Sequence, residues 1–284
     1  HLVSRRQRQM CIRDSILETL HRFGLADSHP KYSPLPRNFY ELPYGQASTC
    51  EDTYRSMIGC LMWIARTERI DIMFAVTYLS QFVACCTEVH LTALKQVLKY
   101  LRATIGRHFT YSRDEMRDFV GEDHFNQKIF NITIKCDSDF ASDTTDHKSY
   151  SGFLIYLNGC LVDWTTRKQS LTATSTSEAE YIALSEACKT GLHMYQLLSE
   201  FFKVAAPVTV LSDSMSAKAM AENNLSSRRT KHIWIVYRFV TDWIEKGLYK
   251  IYYINTKDNL ADFMTKVPKD VNFVQRTASL YSSL

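Results

Sequence analysis

The chain has 284 residues, 45% of them hydrophobic and 23% charged, with a formal net charge of +4. That length and balance suit one large or two smaller packed domains and exclude a disordered or collagen-like chain. The charge permits a polyanionic partner without requiring one. The longest uncharged stretch, Ile72 to Thr87, is broken by Thr77, Ser80 and Gln81 and is shorter than the roughly 18 to 20 apolar residues that span a bilayer, so no membrane partner is expected. Arg5, Arg6, Arg8 and Arg13 are followed by no apolar core of a signal peptide. The eight cysteines form no C-x-x-C pair and the histidines no H-x-x-x-H, so the expectation is a reduced, intracellular protein without structural zinc.

Residues 1–15 lack periodicity and resemble a translated library adapter, so they are expected to be non-native. Ile16, Leu17, Leu20 and Phe23 share a helical face that stops at Gly24, and four of the six prolines between Pro30 and Pro43 mark an extended connector. From Asp52 to Thr104 apolar residues recur at spacings of three and four: Tyr54, Ile58, Leu61, Met62; Phe74, Val76, Leu79, Phe82; Leu91, Leu94, Leu98, Leu101. This predicts a small all-helical unit over 16–112. Lys95, Lys99 and Arg102 on its last helix fit a solvated face better than a nucleic-acid stripe. The polar stretch 113–129 reads as a linker, and 130–270 as a second domain followed by a tail at 271–284.

The second domain opens with FNITIKCD, in which Phe130, Ile132, Ile134 and Cys136 alternate as in a strand that ends in acid at Asp137. SGFLIYLNGCLVDW joins two apolar runs through Asn158-Gly159, a strong hairpin signal. A helix is predicted from about Ser177 to Phe202, a strand over Val208 to Leu211 running into Asp213, helices through Lys218 to Ala221 and His232 to Lys246, a strand over Tyr249 to Ile254, and a helix carrying Asp262.

This order can bring Asp137, Glu180, Asp213 and Asp262 to one edge of a mixed sheet. Clustered carboxylates repel unless cations compensate. Hard divalent ions take oxygen ligands, and two of them about 3.5 to 4 Å apart stabilise the attacking and leaving oxygens of a phosphodiester. Each acid also fits a plain structural role. Asp137 and Asp213 suit turns after strands, Asp262 a first helical turn, and Glu180 a capping box begun by Ser177. Ser175 with Glu178 makes an equally good box, which leaves Glu180 available.

The segments KCDSDFASD, STSEAEYIALSEA, VLSDSMSA, RRTKHI and NTKDNLADFMTK, in this order, resemble the ribonuclease H domain of copia-type retrotransposon Pol polyproteins. Upstream, YRSMIGCLMWIARTERIDIMFAVTYLSQF and HLTALKQVLKYLRAT are similar to the thumb and connection at the end of that family's reverse transcriptase. The resemblance covers about Ile16 to Lys269. It implies an α/β fold, a ribonuclease H-like mixed five-stranded sheet with flanking helices, behind the small helical unit.

The implied activity is hydrolysis of the RNA strand of an RNA/DNA hybrid with two Mg²⁺ ions, or Mn²⁺ in their place, leaving a 5′-phosphate and a 3′-hydroxyl. Asp137, Glu180 and Asp213 are the implied metal ligands and Asp262 completes one site. Asp139 competes with Asp137, since strand alternation puts both on one face. Hybrid recognition should use shape, phosphates and 2′-hydroxyls. Arg228, Arg229, Lys231 and His232, opening a helix, are the candidates for phosphate contact, and Ser138, Ser177 and Ser214 those for sugar or phosphate oxygens.

The implied partners are the hybrid, the upstream fingers and palm of the polymerase, and the rest of the Pol polyprotein. The polymerase's Tyr-x-Asp-Asp motif does not occur in this chain, so no DNA synthesis is expected of it. The implied location is a cytoplasmic virus-like particle and the nucleus. Three positions depart from the family pattern: Trp234 where an acid is usual, Arg69-Ile70-Asp71 for Arg-Pro-Asp, and Phe140 for Trp. None removes a metal ligand. A duplex-binding remnant, inactive or dependent on the polymerase, is the alternative reading of the same residues.

Overall fold

The computed structural model describes residues 13–36, 39, 51–109, 111, 121–122, 128–141, 146–222, 231–266 and 273–281. They fall into two compact units, one built from residues up to 110 together with Lys266–Tyr281, the other from Tyr111–Thr265. The chain therefore leaves the first unit, forms the second, and returns.

The first unit is helical: α1 (13–22), α2 (Glu51–Thr67), a 3-10 turn (Ile70–Ile72), α3 (Met73–Ser80), α4 (Glu88–Ala103), the short α8 (Phe273–Arg276) and a second 3-10 turn (Thr277–Tyr281). α1 ends where predicted, with Gly24 at φ +66, the left-handed conformation glycine adopts without a Cβ penalty. The periodic residues Tyr54, Leu61, Val76, Leu79, Leu94, Leu98 and Leu101 are fully buried. Lys95, Lys99 and Arg102 keep to the partly or fully exposed side of α4. Residues 273–281, expected as part of a tail, pack into this unit, where Thr277 and Leu280 are fully buried.

The second unit holds a five-stranded mixed sheet of β3 (Ile132–Asp139), β4 (Tyr150–Leu157), β5 (Cys160–Lys168), β7 (Val208–Ser212) and β8 (Tyr249–Tyr253), in the order β5-β4-β3-β7-β8. The first three strands are antiparallel neighbours; β7 and β8 add in parallel beyond β3. The β4–β5 turn has Asn158 at φ 50 and Gly159 at φ 78, the double positive φ that Asn-Gly favours. Three helices, α5 (Thr176–Ser199), α6 (Met215–Glu222) and α7 (Lys231–Glu245), complete the unit. Their apolar side chains share one core with Ile132, Ile134, Cys136, Phe153, Ile155, Val210 and Ile251.

Two differences from the sequence reading concern short elements. Gly121–Glu122 (β1), within the expected linker, and Lys128–Phe130 (β2), which crosses its end, form a three-stranded sheet with Lys203–Val204 (β6) in the order β1-β2-β6, and the long helix stops at Ser199 rather than Phe202. Asp262 sits on a five-residue 3-10 turn, Leu260–Met264, instead of an α-helix. The fold is α/β, a ribonuclease H-like sheet with flanking helices.

Candidate metal centre

β3 and β7 run parallel with Cys136 opposite Ser212. Asp137 and Asp213 are therefore the next residues on adjacent chains, which lie about 4.8 Å apart in a sheet. Asp213 stands just past the end of β7 and Asp137 two residues before the end of β3, whose ladder runs on to Asp139, so both lie toward the carboxyl edge where ligands of open α/β sheets gather. α5 supplies the third acid. Its N-cap is Ser175, whose Oγ accepts from the Glu178 N–H at 3.2 Å, while Glu178 Oε2 accepts from the Thr174 hydroxyl at 2.6 Å. Glu178 is thus engaged at the helix start, and Glu180, one turn in, is 8% exposed.

One carboxylate oxygen each from Asp137, Glu180 and Asp213 lie within 4.8 Å of one another. Asp139 and Asp262 are outside that group. Asp262, half-buried, is carried by the 3-10 turn, whose flanking residues reach the cluster: Asn259 Nδ2 donates to Asp213 Oδ1 at 3.3 Å, and Thr265 Oγ1 donates to Asp137 Oδ2 at 2.5 Å. Burial pushes the Cys136 thiol's pKa well up, with further upward electrostatic contributions from Cys188, Glu180, Asp137 and Asp213.

This donor set fits a hard divalent ion. Three carboxylates offer oxygen only, and the neighbouring Cys136 side chain lies in the hydrophobic core, its Sγ donating to the Leu211 carbonyl at 3.7 Å, so it adds no soft ligand of the kind Zn²⁺ favours. Mg²⁺ and Mn²⁺ suit such a set.

The other predicted contacts are distributed differently. Ser138 is buried on the β3 face opposite Asp137, and its Oγ has no hydrogen-bond partner. Ser214 caps α6, its Oγ accepting from the Ala217 N–H at 3.1 Å, so a structural duty accounts for it. Ser177 is half-buried on the first turn of α5. Lys231 and His232 begin α7, with their side chains outside the described part, and Arg228 and Arg229 lie outside the described residues.

The sequence reading passed over Asn259, Thr265 and Gln169. Gln169, 1% exposed, donates from Nε2 to Ser151 Oγ at 2.9 Å and to the Ala179 carbonyl at 3.0 Å, one residue before Glu180. Asn three residues before an acid is an N-cap signal that points to Asn259. Nothing local marks the other two.

No family model matches the chain. It is 30% identical over 253 residues to the Pol polyprotein of transposon RE1 from Arabidopsis thaliana, covering 88% of this chain and 16% of that protein. It is also 30% identical over 259 residues to that of transposon TNT 1-94 from Nicotiana tabacum, covering 89% of this chain and 18% of that protein. A third relative, the secreted RxLR effector protein 161 of Plasmopara viticola, is 37% identical over 134 residues, 47% of this chain and 85% of that protein. Among solved structures, a foamy viral protease-reverse transcriptase in complex with an RNA/DNA hybrid aligns with 83% of this chain and 28% of its own, at 12% identity and a TM-score of 0.45.

Strand order and acid placement define the second unit as a ribonuclease H-like domain. The chain belongs to the family of copia-type retrotransposon Pol polyproteins, and it spans less than a fifth of the length of the relatives RE1 and TNT 1-94. Among the described residues no helix is long and apolar enough to cross a membrane.

Proposed function

We propose that this protein is a retrotransposon ribonuclease H that hydrolyses the RNA strand of an RNA/DNA hybrid. The observation that carries the reading is the convergence of Asp137, Glu180 and Asp213, from two parallel strands and a helix, within 4.8 Å. Two Mg²⁺ or Mn²⁺ ions, when bound, supply an activated water and charge neutralisation at the scissile phosphate. Asp137, Glu180 and Asp213 hold them, with Asp262 completing one site from the adjoining turn. Held in a fold rather than on a mobile loop, the three carboxylates need no reorganisation as charge develops.

Arg228, Arg229, Lys231 and His232, leading into α7, are proposed to grip phosphates, where cationic side chains and free helix N–H groups act together. Ser177, half-buried on the first turn of α5, is the proposed contact to sugar oxygens. The proposed partners are the hybrid and the polymerase and remaining parts of the Pol polyprotein, and the proposed setting is intracellular.

The test is strand-specific cleavage of an end-labelled RNA/DNA hybrid in Mg²⁺ by the full chain and its Asp213→Asn variant. Cleavage of the RNA strand alone, lost in the variant, is expected. A folded wild-type protein that binds the hybrid and cuts neither strand in Mg²⁺ or Mn²⁺ overturns the reading in favour of a duplex-binding remnant.

A further inference from the structure

The 3-10 turn that presents Asp262 is bracketed by two buried side chains whose polar hydrogens point at the other acids. Asn259, 2% exposed, caps the turn through Oδ1, which accepts from the Ala261 N–H at 3.3 Å. Its Nδ2 donates to the Cys136 carbonyl at 2.9 Å and to Asp213 Oδ1 at 3.3 Å. An amide nitrogen carries two hydrogens, so both bonds form at once and tie Asp213 to the β3 backbone beside Asp137. Thr265, at the other end and fully buried, has a single hydroxyl hydrogen and two acceptors near it, Asp137 Oδ2 and the Asp262 carbonyl at 3.1 Å. The charged acceptor takes it. The Asp262 carbonyl still receives the Thr265 backbone N–H at 3.3 Å.

Gly152 on β4, directly across from Asp137, is what lets the turn come this close. A Cβ there would lie 2.4 Å from Met264 Cβ, 2.9 Å from Thr265 Cγ2 and 3.1 Å from the Met264 carbonyl carbon. From the β5 side, Thr166 Oγ1 donates to the Met264 carbonyl at 2.6 Å. The turn is thus seated on the sheet by an absent side chain and a buried hydroxyl, and its ends reach two acids.

We propose that Thr265 and Asn259 are positioning residues of the acid site, fixing Asp137 and Asp213 so that each keeps an oxygen directed at a shared divalent ion. The proposal rests on the ribonuclease H reading above. A neutral donor on one carboxylate oxygen orients the group without competing for its charge, which is how partners of metal ligands tune a site.

The test uses the full chain with Thr265→Val, which keeps the shape and loses the hydroxyl, and Thr265→Ser, which keeps the hydroxyl. Mn²⁺ binding is followed by electron paramagnetic resonance, and the Mg²⁺ dependence of hybrid cleavage alongside it. Thr265→Val is expected to weaken Mn²⁺ binding roughly ten-fold or more and to raise the Mg²⁺ needed for half-maximal cleavage. Hybrid affinity in EDTA stays as in the wild type, and Thr265→Ser restores both metal readouts. Should Thr265→Val not fold, Asn259→Ala, with its fold checked by circular dichroism, is judged by the same titration.

Folded variants that bind Mn²⁺ as tightly as an active wild type overturn the positioning role and leave the ribonuclease reading standing. A folded wild type that neither binds Mn²⁺ nor cuts overturns that reading, and the positioning role with it.

Discussion

Glu68, just beyond α2, is half-buried, and its Oε2 is buried without a hydrogen-bond partner. Burial raises its pKa from 4.5 to about 7, against the pull of Arg69. A carboxyl whose folded pKa lies above its unfolded one favours the native state most when protonated. Its contribution is full below pH 4.5 and is lost as pH rises to about 7. Glu68→Gln, neutral at all pH, is therefore expected to raise the melting temperature at pH 8 and to leave it nearly unchanged at pH 4.5. Circular dichroism melts of the full chain at the two pH values check this; an equal shift at both would refute it. The acids near the sheet edge were legible in a way Glu68 was not. Asp137 and Asp213 terminate alternating apolar runs, and Glu180 follows a capping box that already uses Glu178. Local pattern could not separate Asp137 from Asp139, because both share a face; only Asp137 joins the group with Glu180 and Asp213.

Among elements, the C-terminal 3-10 turn departs furthest from what its sequence suggests. Tyr281 Oη donates to Asp71 Oδ1 at 2.6 Å. The same buried carboxylate accepts from Arg69 Nε at 3.0 Å and Nη2 at 2.9 Å, from Arg107 Nη1 at 2.9 Å and from Tyr100 Oη at 2.5 Å. Burial alone would raise the Asp71 pKa. The Arg69 charge and hydrogen bonds, with those of Tyr100 and Tyr281, overcome it and hold the carboxyl well below the usual range. Arg107 also donates to Thr277 Oγ1 at 2.6 Å and to the Val274 carbonyl, so the returning segment is fastened at several points. Tyr281→Phe leaves one oxygen of a buried charge less satisfied and is expected to cost about 1 to 3 kcal/mol. Urea unfolding followed through the helical signal measures it, and an unchanged midpoint would remove Tyr281 from the hub. The helices α2 to α4 were legible because each repeats its apolar face over several turns. A five-residue 3-10 turn has no period to read, and strands of two or three residues such as β2 and β6 carry no alternation.

For the whole molecule, the acid cluster ties stability to metal. Three carboxylates drawn within 4.8 Å repel when no cation lies between them. In EDTA, Asp213→Asn is expected to melt above the wild type. Mg²⁺ or Mn²⁺ should raise the wild type in proportion to the logarithm of its concentration, and the variant far less. Differential scanning calorimetry with and without metal decides this; a wild type indifferent to both ions contradicts a metal centre. By itself the sequence determined the order of strands and helices, the candidate acids and the hairpin, because those depend on periodicity, the ends of apolar runs and an Asn-Gly turn that neighbouring residues dictate, while the class of fold followed from the family resemblance. Only the tertiary structure decided that residues 273–281 belong with the helices, that Gly152 makes room for the 3-10 turn, and that Asn259, Thr265 and Gln169 sit on the acids or beside them. The physical reason is separation along the chain. Thr265 meets Asp137 across 128 positions and Tyr281 meets Asp71 across 210, and no local pattern encodes a contact made by packing two distant segments.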